Sequence, residues 1–198
     1  VFFGLQAYIK KYLMSPITED DVEEAATIMH AHGVPFNTDG WRRIAIYHNG
    51  YLPVQISAVP EGTTMRTGNV QVQVVNTDPQ LPWLTSYVET SLLRAIWYPS
   101  TVASISCRMK QFIYQALLQT SDDPTAELPF KLHDFGARGA TTSEAAMLGG
   151  MGHLLSFSGT DNIESVVGAK NFYNEPMAGF SIPATEHSTL TSWGRSNE

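Results

Sequence analysis

The sequence predicts a mixed α/β protein, on three observations. Two segments between residues 51 and 78 alternate apolar and polar side chains with period 2, the pattern of half-buried strands. Several other stretches carry apolar residues at helical spacing behind capping residues. From Phe130 onward, strand-like and helix-like stretches alternate, the order that builds βα units and a parallel sheet or barrel.

The elements follow in order. Residues 3–14 place Leu5, Tyr8, Ile9 and Leu13 on one side of a helix, which Pro16 stops. Thr18 is placed to cap a second helix, with acids in its first turn and Gly33 beyond its end. Residues 52–59 and 69–75 form the two strands of a small antiparallel unit with glutamines on its wet face; Pro60-Glu61-Gly62 and Thr67-Gly68 punctuate the turns. Residues 82–120 return to helix, and Pro99 is expected to divide them into two. Residues 130–135 are a strand candidate, Ser143 caps a helix running to Phe157, 162–173 is another helix, and 180–183 is a short strand before a Ser/Thr-rich helix start. A division near residue 80 follows. Residues 1–80 hold helices and the β-rich unit, and 81–198 hold the helical segment and the first βα units.

Composition narrows the function classes. The chain has 198 residues, 43% hydrophobic and 16% charged, enough to bury a core. A net charge of −7 argues against nucleic acid or an anionic membrane as partner. A single cysteine, Cys107, forbids an internal disulfide and points to a reducing, cytoplasmic setting. No apolar run approaches the roughly 20 residues that span a bilayer, and nothing resembles a signal peptide. The chain opens at Val1 inside an apolar-aromatic pattern and closes at Ser196-Asn197-Glu198, so it is expected to be a fragment of a longer protein.

In βα architectures ligands bind where strands end and helices begin, and three polar clusters lie at such points. His133-Asp134-Phe135-Gly136-Ala137-Arg138-Gly139 offers a stacking face, a phosphate fork and close backbone approach; the same residues would equally serve as a buried Phe beside a structural Asp–Arg pair. Ser158-Gly159-Thr160-Asp161 offers backbone N–H groups and a carboxylate, although Asp161 is also placed to cap the next helix. Glu186-His187-Ser188-Thr189 offers a nucleophile or acid/base, or merely a surface histidine; adjacent residues on a strand point opposite ways, so Glu186 need not orient His187. Trp83, Trp97, Tyr98 and Phe112 read as core, and Glu89 as solvated. His30, His32, His48 and His153 lack metal-ligand spacing, and neither a Walker loop nor GxGxxG occurs.

The ordered strings Lys131-Leu132-His133-Asp134-Phe135-Gly136, Arg138-Gly139, Gly159-Thr160-Asp161, Pro183-Ala184, Glu186-His187-Ser188-Thr189 and Trp193-Gly194 resemble the nicotinamide phosphoribosyltransferases. So do Val59-Pro60-Glu61-Gly62, Gly68-Asn69-Val70, Asn76-Thr77-Asp78-Pro79, Trp83-Leu84-Thr85, Glu89-Thr90 and Trp97-Tyr98-Pro99, in the same order. The resemblance covers essentially the whole chain. It implies a type II phosphoribosyltransferase fold, an irregular α/β barrel beside a β-rich domain, working as a homodimer. It implies transfer of phosphoribosyl from phosphoribosyl pyrophosphate to nicotinamide, with Mg2+, and ATP hydrolysis coupled through a phosphorylated histidine.

Carried over residue by residue, the resemblance makes Phe135 the ring-stacking residue, Arg138 the phosphate-side cation and Asp161 the acceptor of the carboxamide N–H. It makes His187 the phosphorylated histidine and places His133 and Lys131 along the tunnel to the site. An aspartate suits an amide and repels the carboxylate of nicotinate. Position 137 is alanine where the animal members carry an aromatic. The family's stacking tyrosine is expected before Val1. Its second stacking arginine, its metal- and ribose-binding acids, its phosphate-binding glycines and a carboxylate that orients the phosphohistidine are expected beyond Glu198. The alternatives are a nicotinate phosphoribosyltransferase, against which Asp161 and Glu186-His187-Ser188 weigh, and a non-catalytic protein that keeps the fold.

Overall fold

The computed structural model describes residues 1–196 of the chain; Asn197 and Glu198 lie outside the described residues. Helix α1 (Leu5–Tyr8) runs into a π-helical turn, Ile9–Leu13. Thr18 caps α2 (Glu19–His32) in a capping box with Asp21, and Gly33 ends it in the left-handed region, as the sequence predicts. Helix α3 (Thr38–Tyr47) lies outside the predicted set. Its signals are Asn37, whose side chain accepts from Gly40 N, and an apolar face carrying Ile44. Strands β1 (Val54–Ala58) and β2 (Val72–Asn76) pair antiparallel with Gln55 and Gln73 exposed.

Helix α4 spans Leu84–Thr120 without interruption, 37 residues with Pro99 inside. The expected break at Pro99 does not occur. Proline costs a helix interior roughly 3 kcal/mol, but Pro99 is buried here. The next residue is tied down as well: the Ser100 hydroxyl accepts from Phe3 N and donates to Phe3 O, both at 3.0 Å. Packing on both sides of the proline outweighs its local preference. The buried stripe runs through Leu84, Val88, Leu92, Ile96 and Ala103. Trp97 and Phe112 project from the opposite side and are exposed, not core, whereas Trp83 and Tyr98 are half-buried and Glu89 is solvated.

A short helix α5 (Pro124–Glu127) and a 3-10 turn (Leu128–Phe130) lead into β3 (His133–Asp134). A second 3-10 turn (Gly136–Gly139), α6 (Ser143–Leu154), β4 (Gly159–Thr160), α7 (Ile163–Tyr173) and α8 (His187–Trp193) follow. The cap of α6 is Thr142, whose side chain accepts from Ala145 N, and the expected cap Ser143 is the first helical residue. β3 pairs parallel with β4 in the register His133↔Gly159 and Asp134↔Thr160, and Phe180 bridges Gly159 in parallel. The segments therefore stand side by side in the order β3, β4, Phe180, with α6 and α7 as crossovers. The strand expected over 130–135 shortens because Pro129 helps bend Leu128–Phe130 into a turn. The strand expected over 180–183 reduces to one bridge at Phe180, three residues before Pro183, which has no N–H to donate.

Three apolar clusters hold these parts. Phe2, Leu5 and Tyr8 pack on Val88, Leu92 and Ile96. Phe3 and Ala7 pack with Ala103, Met151 and Ala169. Ile44, Leu81 and Leu84 join α3 to the start of α4. Beside the last cluster sits a buried carboxylate. Asp78 accepts from Arg43 Nε at 2.7 Å, contacts His48 Nε2 at 2.8 Å and accepts from Gln80 N at 2.9 Å. The Arg43 guanidinium, then His48, hold the Asp78 carboxyl well below the usual carboxylate range. Because the folded value is depressed, its contribution to stability is complete above the unfolded value near ~4 and is lost as pH falls further. Asp78→Asn should therefore lower the melting temperature by several degrees at pH 7, and the gap to wild type should narrow in acid. Thermal denaturation of the full-length protein at the two pH values checks both.

Candidate active site

The ends of β3 and β4 bring three of the sequence-predicted residues together. Asp134 is the last residue of β3, and its Oδ1 accepts from Gly136 N at 2.7 Å. This turn presents Phe135 outward, 55% exposed, with its ring centroid 4.4 Å from that of His133. At the end of β4, Asp161 N donates to Asp134 O at 3.0 Å. The Asp161 carboxylate then lies 3.2 Å from His133 Nε2, an ion-pair contact whose direction is off the line of a hydrogen bond. Both ring nitrogens of His133 are buried and lack hydrogen-bond partners among the described residues. Gly159 makes this approach possible, because a Cβ there would sit 2.7 Å from His133 Nδ1.

The geometry removes one of the readings left open for this cluster, the buried Phe beside an Asp–Arg pair. Phe135 is not a buried core residue, and Asp134 spends its carboxylate on Gly136 N and Asn162 Nδ2 rather than on Arg138. Arg138, in the 3-10 turn after Phe135, is exposed and makes no hydrogen bond or ion pair among the described residues. Asp161 is not the cap of α7; the N-cap position belongs to Asn162, and Asp161 stays exposed. An aromatic face, a carboxylate with free acceptor capacity and an unpaired guanidinium thus stand around the strand ends. Together they fit a flat ring bearing an N–H donor, with an anionic group beyond it.

Among the described residues no hydrogen bond or ion pair ties Lys131 or His187 to this group. Lys131 Nζ pairs with Glu127 Oε2 at 2.6 Å across one turn. His187 opens α8 and is 85% exposed, with Nδ1 2.6 Å from Glu186 Oε1. Glu186 contacts His187 because it caps a helix instead of continuing a strand. Its other oxygen accepts from Ser188 N at 2.7 Å and also from the Ser188 hydroxyl. The Ser188 hydroxyl chiefly holds the Glu186 carboxyl below its usual value. Among the described residues no hydrogen bond or ion pair joins His187 to His133, Phe135 or Asp161.

Two supporting residues escaped the sequence reading. His153 is buried on α6 with Nε2 3.0 Å from Gly159 O. Burial pushes its pKa down, so the neutral ring donates Nε2–H to that carbonyl and steadies the start of β4. Asn162, buried behind Asp161, bonds Asp134 Oδ2 at 3.1 Å and Ala146 O at 2.8 Å. Neither residue belongs to a motif, though Asp-x-Gly at 134–136 is a legible turn signal. Among the described residues no three His, Cys, Asp or Glu side chains gather where a metal ion could sit, so the expected Mg2+ finds no ligand set within them. No described helix is long and apolar enough to cross a membrane. A cavity of about 840 Å³ between α1, α4 and Gly139–Ala145 is walled by Tyr8, Tyr12, Tyr87 and Trp97; it touches the chain just after Arg138 but not Phe135 or Asp161.

Residues 1–56 match the nicotinamide phosphoribosyltransferase N-terminal domain, and residues 130–198 match the nicotinate phosphoribosyltransferase (NAPRTase) family. A nicotinamide phosphoribosyltransferase of Xanthomonas campestris pv. campestris (strain 8004) is 50% identical over 197 residues, 100% of this chain and 42% of the relative. That of Acinetobacter baylyi (strain ATCC 33305 / BD413 / ADP1) is 32% identical over 207 residues, 100% of this chain and 41% of the relative. That of Mycoplasma pneumoniae (strain ATCC 29342 / M129 / Subtype 1) is 33% identical over 156 residues, 77% of this chain and 32% of the relative. The chain spans about two fifths of the length of the first two. With matches at both ends, whole-chain identity to named relatives and the strand-end cluster of Phe135, Arg138 and Asp161, the chain belongs to the nicotinamide phosphoribosyltransferase family.

Proposed function

We propose that the protein carrying this chain transfers phosphoribosyl from phosphoribosyl pyrophosphate to nicotinamide, giving nicotinamide mononucleotide and pyrophosphate. The observation that carries this reading is the exposed face of Phe135 beside the Asp161 carboxylate at adjacent strand ends. The pyridine ring stacks on Phe135 and donates its carboxamide N–H to Asp161. The ring nitrogen, thus placed, attacks C1′ of the ribose through its lone pair. The C1′–N bond forms as the C1′–O bond breaks, and pyrophosphate leaves with that bond's electrons. No proton moves, and the ring becomes a pyridinium. Arg138 stands on the phosphate side, while His133 and Lys131 line the entrance. The proposed working form is a homodimer. Mg2+ would accompany the pyrophosphate and neutralise its charge as it leaves. ATP would be hydrolysed through His187.

Asp161 carries the choice between amide and acid. A hydrogen bond to a charged group is worth roughly 1.5–3 kcal/mol, so Asp161→Ser should lower kcat/KM for nicotinamide by roughly ten- to a hundred-fold. It should at the same time remove a repulsion and improve the use of nicotinate. The test is product formation by full-length wild-type and variant protein with each base in turn. Wild type that makes no mononucleotide from nicotinamide would overturn the reading of function. An unchanged preference between the bases would overturn the role of Asp161.

A further inference from the structure

Phe135 and Asp161 lie on different strands, and ring recognition needs them at a fixed spacing. The backbone supplies one tie, from Asp161 N to Asp134 O. The side chains supply a second, which runs through Asn162. Its Nδ2 carries two hydrogens and both are used, one on Asp134 Oδ2 at 3.1 Å and one on Ala146 O at 2.8 Å. The other oxygen of Asp134 holds Gly136 N at 2.7 Å, and that bond closes the turn bearing Phe135. A continuous path therefore links the residue after Asp161 to the residue after Phe135.

Burial fixes this path. Asn162 is 2% exposed. Gly150 of α6 leaves the room for its amide, since a Cβ there would lie 2.5 Å from Asn162 Nδ2. The amide has one sensible orientation, because a flip would set Oδ1 against a carboxylate and a carbonyl. Its Oδ1 has no hydrogen-bond partner among the described residues. The chain accepts an unsatisfied buried acceptor in order to aim the N–H2 at Asp134, a cost that an apolar filler would avoid. Among the described residues Asp134 makes no ion pair, so the neutral donors of Gly136 and Asn162 satisfy its carboxylate.

We infer that Asn162 is a positioning residue for the nicotinamide ring: through Asp134 it sets the spacing between the stacking face of Phe135 and the carboxylate of Asp161. The inference rests on the proposed reading of the site and adds a residue that touches neither substrate nor reacting atoms.

The experiment uses the full-length protein and three variants: Asn162→Asp, Asp134→Asn, and the exchanged pair Asp134→Asn/Asn162→Asp. Asn162→Asp sets two carboxylates face to face. It should raise the KM for nicotinamide about ten- to a hundred-fold, the scale of a misplaced substrate contact. The KM for phosphoribosyl pyrophosphate should rise far less, because Arg138, proposed to face that substrate, is bonded to neither Asn162 nor Asp134. The exchanged pair restores donor to acceptor across the same gap and leaves Oδ1 free for Gly136 N. It should recover most of the lost nicotinamide KM, although the Ala146 carbonyl still lacks its donor. Failure of the exchange to recover KM while the protein folds, or parallel loss for both substrates in Asn162→Asp, overturns the inference. Hydrogen exchange of the Gly136 amide gives a readout apart from activity: it should quicken in Asn162→Asp and slow again in the exchanged pair. Unchanged exchange in Asn162→Asp overturns the inference too. If Asn162→Asp does not accumulate, Asn162→Ala is measured in the same two ways against the same outcomes. Inactive wild type would instead defeat the reading of function, and the Gly136 amide would still decide whether the strut exists.

Discussion

Full-length protein carrying His187→Ala should show no ATPase activity and no ATP-dependent gain in product, while a slow ATP-independent transfer persists. The side chain is 85% exposed, so a nucleotide can reach it. Glu186 Oε1 sits 2.6 Å from Nδ1, and a carboxylate there keeps the proton on Nδ1 and leaves the lone pair on Nε2. Nε2 would attack the γ-phosphorus, ADP would leave with the electrons of the broken P–O bond, and water would later take the phosphoryl group. Phosphate on His187 would add negative charge to the protein, which would give ATP a means to shift its affinity for an anionic substrate. The check is incubation with γ-labelled ATP, followed by acid and alkali treatment of the labelled protein. A phosphohistidine is lost in acid and survives alkali. Equal labelling of wild type and His187→Ala would end this assignment, and Phe135 and Asp161 would keep theirs.

Phe135→Ala should raise the KM for nicotinamide roughly ten- to a hundred-fold with little change in melting temperature. Covering an aromatic face contributes about 1.5–3 kcal/mol, and about 1.4 kcal/mol is a factor of ten in affinity. The structure separates this outcome from a packing defect. At 55% exposure the ring supports little of the core, so truncation leaves no cavity to destabilise the fold. Phe135→Tyr should cost far less, because the stacking face remains. Normal nicotinamide binding by Phe135→Ala together with early melting would return the residue to the core. Titration of nicotinamide and a thermal melt on the same preparation decide it.

The legible parts of this protein are those whose cause is local. The capping box at Thr18 and Asp21 and the alternation in β1 and β2 stand in the sequence because neighbouring residues enforce them. The continuity of α4 through Pro99 does not, since it depends on Phe3, nearly a hundred positions earlier. Periodicity likewise places Trp97 on a helix without saying which side of that helix meets the core. At the candidate site, chemistry and resemblance both mark Phe135, Arg138 and Asp161 in the sequence. Neither marks Asn162 or His153. Their work lies in bonds to Asp134, Ala146 and Gly159 that exist only once β3, β4 and α6 are side by side. The sequence leaves the contact between Glu186 and His187 open for a related reason, since it depends on where a helix starts.

The wedge formed by Phe3 and Ala7 has a consequence for synthesis. These side chains share a cluster with Ala103, Met151 and Ala169, and Gln6 Nε2 donates to Phe172 O across 166 positions. At translation rates of about 5–20 residues per second, the first turn of α1 waits roughly 8–30 seconds for the helix that covers it. Over that interval an apolar, aromatic segment is exposed beside the ribosome. It is a natural substrate for a chaperone that holds nascent chains. Slower decoding between residues 103 and 172 would lengthen that exposure without altering a single contact in the finished fold.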